Sequence, residues 1–255
     1  MPWTFAHPAA VLPLRSLCPR WLSLPALILG AISPDLGYHV AMFDWARFCH
    51  SPLGIVTVCL PLGLLLLALL QRWHRPLTVL LPAPHRQLVR AGLQPAQHAA
   101  PWLVVAVASL LLGAVTHVVW DAFTHAGRWG VLLVPGLNEP LFDAVGRQFR
   151  VFNLLQHLST LVGLVALALA YRRCLHLQTK VPDPARDGQR VRLLLAGLVG
   201  ATVIGASLAW ALTPAGQPGA LSHLIVRTVI ASTTGFLLFI VIGSLAWWQS
   251  RGDDA

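Results

Sequence analysis

Charge is scarce in this chain. Only 11% of its 255 residues are Asp, Glu, Lys or Arg, where a soluble domain carries roughly 25%. With 56% hydrophobic residues and a mean hydropathy of +0.68, that scarcity excludes a soluble globular protein as well as a disordered or fibrous one. Acid is scarcer still than base: nine Asp and Glu stand against eighteen Lys and Arg, a net charge of +9. Such a balance can mark a nucleic-acid partner, but the longest basic run is Arg172-Arg173, too short for that footprint. No nucleic acid is expected, and the excess base is assigned to membrane topology. The four cysteines, Cys18, Cys49, Cys59 and Cys174, contain no CxxC pair. A disulfide framework and a thiolate zinc site are thereby excluded, and the cysteines are read as packing residues. No long polar linker and no internal repeat divide the chain, so one membrane-embedded domain is expected.

Long apolar runs are what the sequence does have. A membrane helix needs about 20 mainly apolar residues, and charge-free stretches of that order run from Pro52 to Gln71, Leu193 to Leu212 and Thr228 to Gln249. Pro101 to about Thr124 and Val151 to Tyr171 are equally long but carry polar residues at one end. A sixth segment, Trp21 to Ser33, is shorter; it reads as a tilted span or as one arm of a hairpin. Arg15 and Arg20 before a run that closes on Ala31 and Ser33 also fit a signal peptide. The long charged leader and Pro34 after the supposed cleavage point argue for keeping the segment in the mature protein. The fold class expected is an all-α polytopic membrane helical bundle of about six transmembrane helices plus a short N-terminal helix. Residues 1–171 carry the polar ends, 172–192 form a cytoplasmic loop, and 193–255 form a C-terminal helix pair.

Lys and Arg concentrate in cytoplasmic loops. Summed over alternate connections, one side holds thirteen basic residues, among them Arg15, Arg20, Arg72, Arg75, Arg86, Arg90, Arg172, Arg173 and Arg251, and the other five. The richer side is assigned to the cytoplasm, and the C-terminus with it. Segments Arg72 to Pro101 and Arg172 to Arg192 lack hydrophobic periodicity and read as solvated connectors; His74, His85, His98 and His176 fall there or at span ends, where a surface histidine is the default.

Ionisable groups at membrane depth cost a few kcal/mol each and mark functional sites by default. Asp35, His50 with Ser51, His117 with Asp121 and His125, and Asn153 with Gln156 and His157 all fall at segment ends that the topology places on the extracytoplasmic side. His117, Asp121 and His125 are spaced i, i+4, i+8 and share one helix face. That pattern is a divalent-metal half-site, or else a hydrogen-bonding stripe between helices. Gly113, one turn earlier, allows a facing helix to come close. Asn153, Gln156, His157 and Thr160 form another face, read mainly as groups that orient ligands, with His157 as a ligand left open. His7 precedes Pro8, which suits a first helical turn, so a short helix from Pro8 to about Leu14 is expected. If the chain turns at Arg15 to Arg20, His7 and Asp35 lie at the same end of a hairpin; with an extramembrane N-terminus His7 is out of reach. His39 joins the site or faces water.

These residues resemble a bacterial membrane family of unknown function, the domain-of-unknown-function 4184 family. The likeness runs over roughly Met1 to Tyr171: the opening Pro-Trp-Thr-Phe-Ala-His-Pro, Ser33-Pro34-Asp35-Leu36, His50-Ser51, and Thr116 to His125. The ordered pattern is also similar to inner-membrane metal-dependent hydrolases and, more distantly, to zinc-dependent phospholipases C. The resemblance implies His7, Asp35, His50, His117, Asp121 and His125 as metal ligands in a bacterial inner membrane. The pattern departs from the phospholipases at Leu161, where a glutamate would follow His157 by four residues, which leaves a mono- or dinuclear site. The function expected is a metal-dependent hydrolase. Its cation is Zn, with Mn or Fe as alternatives, Asp121 or Asp35 acts as ligand or base, and membrane lipid headgroup phosphoesters are the substrate class. A transporter or proton pathway, and a non-enzymatic protein with a structural metal, use the same cluster and stay open. The apolar stretches Leu62 to Leu70 and Val162 to Ala170 weigh against the transporter.

Overall fold

The computed structural model describes residues 3–18, 20–94, 100–144, 147–177, 184–214 and 220–251. His98 and Lys180 lie outside the described residues. After a 3-10 helix at Thr4–Val11, the helices run α1 (Leu12–Leu17), α2 (Leu24–Ile32), α3 (Leu36–His39), α4 (Phe43–Cys49) and α5 (Pro52–Gly54). A π turn at Ile55–Cys59 leads into α6 (Leu60–Arg72), then α7 (His74–Leu77), α8 (His85–Leu93), α9 (Trp102–Thr124) and α10 (Trp129–Leu133). Strands β1 (Pro140–Ala144) and β2 (Arg147–Arg150) pair before α11 (Val151–His176), α12 (Pro184–Ala211) and α13 (Ala220–Arg251). Among the described residues five helical stretches are long and apolar enough to cross a membrane: Pro52–Arg72, Trp102–Thr124, Val151–His176, Arg186–Ala211 and Ala220–Arg251. The chain is an all-α, multi-pass membrane protein made of two compact units.

The first unit spans 1–69, 95–144 and 148–173. Its N-terminal segment takes the hairpin alternative: α2 has only nine residues, about 14 Å at 1.5 Å per residue, and packs back on the 3-10 helix through Val11, Leu22, Leu27 and Ala31. The 3-10 helix starts at Thr4, four residues before the Pro8 start expected, and Pro8 lies inside it. Lipid tails are as apolar as leucine, so helices in a bilayer associate through close packing and hydrogen bonds rather than hydrophobic transfer. Here α2 and α9 meet backbone to backbone. A Cβ on Gly30 would strike the Leu110 carbonyl, and one on Gly113 would strike the Leu27 carbonyl and come within 2.8 Å of the Ala31 nitrogen. At the far end of the same contact the Ser23 N–H donates to the buried Ser109 hydroxyl at 2.9 Å. The Pro52–Arg72 span contains Pro61, which has no N–H to donate. Just before it the ladder widens, with the Leu60 N–H reaching back to the Ile55 carbonyl. Such π turns recur at functional sites.

The second unit spans 70–94, 145–147 and 174–255, and it corrects the expectation of solvated connectors. Val79, Leu80 and Trp247 form a buried cluster there. Arg86 is buried and donates to the Val79 and Leu81 carbonyls, each at 3.4 Å, and Arg90 donates to Thr78 Oγ1 at 2.8 Å. The Ala83 N–H donates to Asp187 Oδ1, which also takes Arg190 at 3.1 Å. Arg86, Arg90 and Arg190, which look solvated in sequence, instead engage carbonyls, a hydroxyl and one buried carboxylate. The segment read as a loop from Arg172 to Arg192 is largely helix, with α11 continuing to His176 and α12 starting at Pro184. Two cysteines pack as expected, Cys49 and Cys59, while Cys18 and Cys174 are exposed.

Candidate metal centre

Four stretches of the first unit deliver the polar side chains to one point. A 3-10 helix repeats every three residues, so Thr4 and His7 lie on one edge of it, and both are buried. The α2 helix ends in the 3-10 turn Ser33–Asp35, which turns Asp35 inward until it is 0% exposed. The α4 helix closes on His50 as its C-cap. His117 and Asp121, one turn apart on α9, complete the set, and the Gly30–Gly113 approach seats α2 against them.

Asp35, His50, His117 and Asp121 form a buried group that could hold a metal ion, one donor atom from each within 4.8 Å of every other. His50 Nε2 lies 3.4 Å from Asp35 Oδ1 and 3.3 Å from Asp121 Oδ2. His117 Nε2 lies 3.5 Å from each of the same two oxygens. The other oxygen of Asp121 faces His7 Nε2 at 3.4 Å and His125 Nδ1 at 3.6 Å. The rings of His7 and His117 stack with centroids 3.7 Å apart.

Three features of these atoms fit a cation. An ion with bonds of about 2.0–2.2 Å sets tetrahedral donors about 3.4 Å apart, close to the four contacts around Asp35 and Asp121 and longer than a charge-assisted hydrogen bond of about 2.7–2.9 Å. His117 Nδ1 donates to the Ala31 carbonyl at 2.7 Å and His50 Nδ1 to the Ala46 carbonyl at 2.8 Å. A carbonyl only accepts, so both neutral rings carry their proton on Nδ1 and turn the Nε2 lone pair toward the carboxylates. Finally, His7 Nε2, His117 Nε2, Asp35 Oδ1 and Asp121 Oδ1 are buried without a hydrogen-bond partner. Lone pairs facing carboxylate oxygens at this burial are costly unless a positive charge lies between them.

Residues 1–245 match the family described as Domain of unknown function (DUF4184). The chain belongs to the DUF4184 family. No curated protein and no solved structure matches it. The matched region of this DUF4184 chain contains every residue of the cluster, the whole of the first unit and the second unit as far as residue 245.

The remaining residues singled out in the DUF4184 sequence take local positions. His125 is not on a third helical turn: α9 stops at Thr124, and His125 is its C-cap with extended backbone, φ −128° and ψ 138°. Its Nδ1 donates to the Asp121 carbonyl at 3.0 Å, and its Nε2 is buried without a partner. Ser51 caps α5, accepting from the Gly54 N–H at 3.0 Å. Asn153 caps α11, accepting from the Arg150 N–H at 3.1 Å. Gln156 is buried, while His157 is exposed with its ring 6.3 Å from Phe149. His39 is half-buried on the edge of Phe5, and burial lowers its pKa.

Sequence reading missed two side chains at the DUF4184 cluster. Thr4 donates to Asp35 Oδ2 at 2.7 Å, and Tyr38 places its ring 6.3 Å from that of His50. Burial, then the nearby Asp35 and Asp121, push the Tyr38 phenol above its ordinary value, so it presents a neutral O–H. Thr4 had a signal in its i, i+3 spacing to His7, legible only to a 3-10 reading; Tyr38 had none.

Proposed function

We propose that this protein is a metal-dependent hydrolase of the bacterial inner membrane that acts on phosphoesters, with lipid headgroups as the substrate class. The observation that carries the reading is the graded exposure of the cluster. The Asp35 and His117 side chains are 0% exposed and Asp121 6%, but His125 beside Asp121 is 24% exposed, so the cluster comes nearest the surface at one edge. A structural metal site is closed on all sides, whereas a catalytic one keeps an open position. Depth agrees with the substrate class: His117 lies two turns from the end of α9, about 10 Å, in a span of which about 30 Å is hydrocarbon core.

Asp35, His50, His117 and Asp121 would hold the ion, Zn in preference to Mn or Fe for a mixed imidazole and carboxylate set. When bound, a divalent cation supplies Lewis acidity toward a phosphoryl oxygen and lowers the pKa of a water toward about 7. Thr4 engages Asp35 Oδ2 and so presents Oδ1 to the cluster. Asp121 uses Oδ2 in the same group and keeps Oδ1 without a hydrogen bond. Asp121 Oδ1 is therefore the atom placed to take a proton, with His7 Nε2 at 3.4 Å and His125 Nδ1 at 3.6 Å beside it.

The test is metal analysis of detergent-purified protein together with hydrolysis of a chromogenic phosphoester and a phospholipid. About one equivalent of metal and measurable turnover are expected in the wild type, with both lost in His117→Ala and Asp121→Ala. Sub-stoichiometric metal in the wild type, or turnover that survives His117→Ala, overturns the proposal.

A further inference from the structure

The second unit contains a cavity of about 650 Å³ lined by Arg72, Trp73, His74, Arg75, Leu245 and Trp248, with Pro76 and Gln249 at its wall. No carboxylate is among these residues. Three other described arginines of the unit have partners of their own. Arg190 pairs with Asp187, Arg86 donates to the Val79 and Leu81 carbonyls, and Arg251 donates to Gln189 Oε1 and lies over the Trp247 ring at 4.5 Å. Among the described residues neither Arg72 nor Arg75 is paired with a carboxylate, and both are exposed. His74 adds a third nitrogen base: its Nδ1 donates to the Gln71 carbonyl at 2.7 Å, leaving Nε2 free to face a ligand.

The cavity also stands where headgroups are. Arg72 is the last residue of one span, and Leu245 to Gln249 are in the last two turns of another. Trp73 and Trp248 are the amphipathic rings that favour this level of a bilayer. Leu245, Trp248 and Gln249, spaced i, i+3, i+4, share a face of α13. That face continues toward the middle of the helix through Ile242 and Leu238, 64% and 55% exposed. A cationic cup at a span end, opening onto an exposed apolar stripe, matches a ligand with an anionic head and a hydrocarbon tail. Free phosphate has no use for the stripe, and a zwitterionic lipid has less use for two unpaired guanidinium groups.

We propose that this cavity binds the phosphodiester of an anionic phospholipid, with Arg72 and Arg75 on the phosphate and an acyl chain along Leu245, Ile242 and Leu238. Basic pockets between membrane helices take anionic headgroups in this way. The site is separate from the His/Asp cluster and does not depend on catalysis there.

The test is native mass spectrometry of the full chain, delipidated in a neutral detergent and titrated with phosphatidylglycerol or phosphatidylcholine of the same acyl chains. Preferential retention of phosphatidylglycerol is expected, insensitive to millimolar inorganic phosphate. It should weaken by about fivefold for each arginine removed in R72Q and R72Q/R75Q, and recover in R72K/R75K. Equal retention of the two lipids by the wild type overturns the proposal, and that comparison stands even if a variant fails to fold. Retention unchanged in a folded R72Q/R75Q overturns it too, as does binding of inorganic phosphate without lipid preference.

Discussion

At His117 one hydrogen bond decides which nitrogen can meet a cation, and the bond comes from a backbone carbonyl of α2, not from a side chain. Groups that orient ligands in this way are commonly worth 10–100-fold in metal affinity, an order-of-magnitude figure of about 1.4–2.7 kcal/mol. Thr4 is such a group at Asp35, and a substitution can remove its hydroxyl without touching a ligand. Thr4→Val is expected to lower metal affinity by about 10–100-fold while leaving the stoichiometry at saturating metal unchanged, measured by competition with a chromophoric chelator. His50→Ala should lose stoichiometric binding altogether. If Thr4→Val binds as tightly as wild type, the Thr4 hydroxyl is a packing contact and Asp35 needs no orienting partner. The sequence made His117 and Asp121 visible because acid and imidazole are rare at membrane depth and one helical turn apart. It hid the Ala31 and Ala46 carbonyls, since every residue has one and only the tertiary structure selects which is used.

Between elements, the α2–α9 contact holds the centre together. Gly113 is legible in sequence as a point of close approach, but its partner is not: the helix that approaches is α2, through the Leu27 carbonyl and the Ala31 nitrogen. Ala31 also supplies the carbonyl that fixes His117, so any side chain at position 113 forces apart the two elements whose spacing sets the imidazole tautomer. Overpacking of this kind costs about 1–3 kcal/mol, and more where the obstructing atoms are backbone. Gly113→Val should therefore lower both the thermal midpoint in detergent and the metal content. Gly92, within α8, has nothing within 4 Å of the position a Cβ would take, so Gly92→Ala should be neutral or stabilising by up to about 1 kcal/mol. A Gly113→Val protein with wild-type midpoint and metal content would show that the two helices can separate without cost. Element boundaries were less legible than faces. The i+8 spacing of His125 assumed a third helical turn, whereas the chain leaves the helix after Thr124 and the His125 ring returns to the Asp121 carbonyl.

For the whole molecule, spans were legible from composition because about 20 apolar residues in a row have few other uses. The packed connector was not, because Ala83 is held by Asp187, 104 residues away. Sidedness rests on charge alone, and the native cysteines can test it. Cys18 is exposed at the turn of the N-terminal hairpin, and its carbonyl accepts from the Trp21 and Leu22 N–H groups. From that turn, Ser23 reaches Ser109, two turns from the Trp102 end of α9, whereas the His/Asp cluster lies toward the other end. Cys174 is exposed beside Arg172-Arg173 near the end of α11. The basic-residue count assigns both to the cytoplasm; Cys49 and Cys59 are buried and should stay silent. A membrane-impermeant maleimide of high mass should therefore label Cys18 and Cys174 in inverted inner-membrane vesicles and neither in right-side-out spheroplasts, with Cys18→Ser and Cys174→Ser assigning the two bands. Labelling of both from outside would invert the protein and turn the edge at His125 toward the cytoplasm. Labelling of one from each side would break the alternation of spans on which the charge count depends.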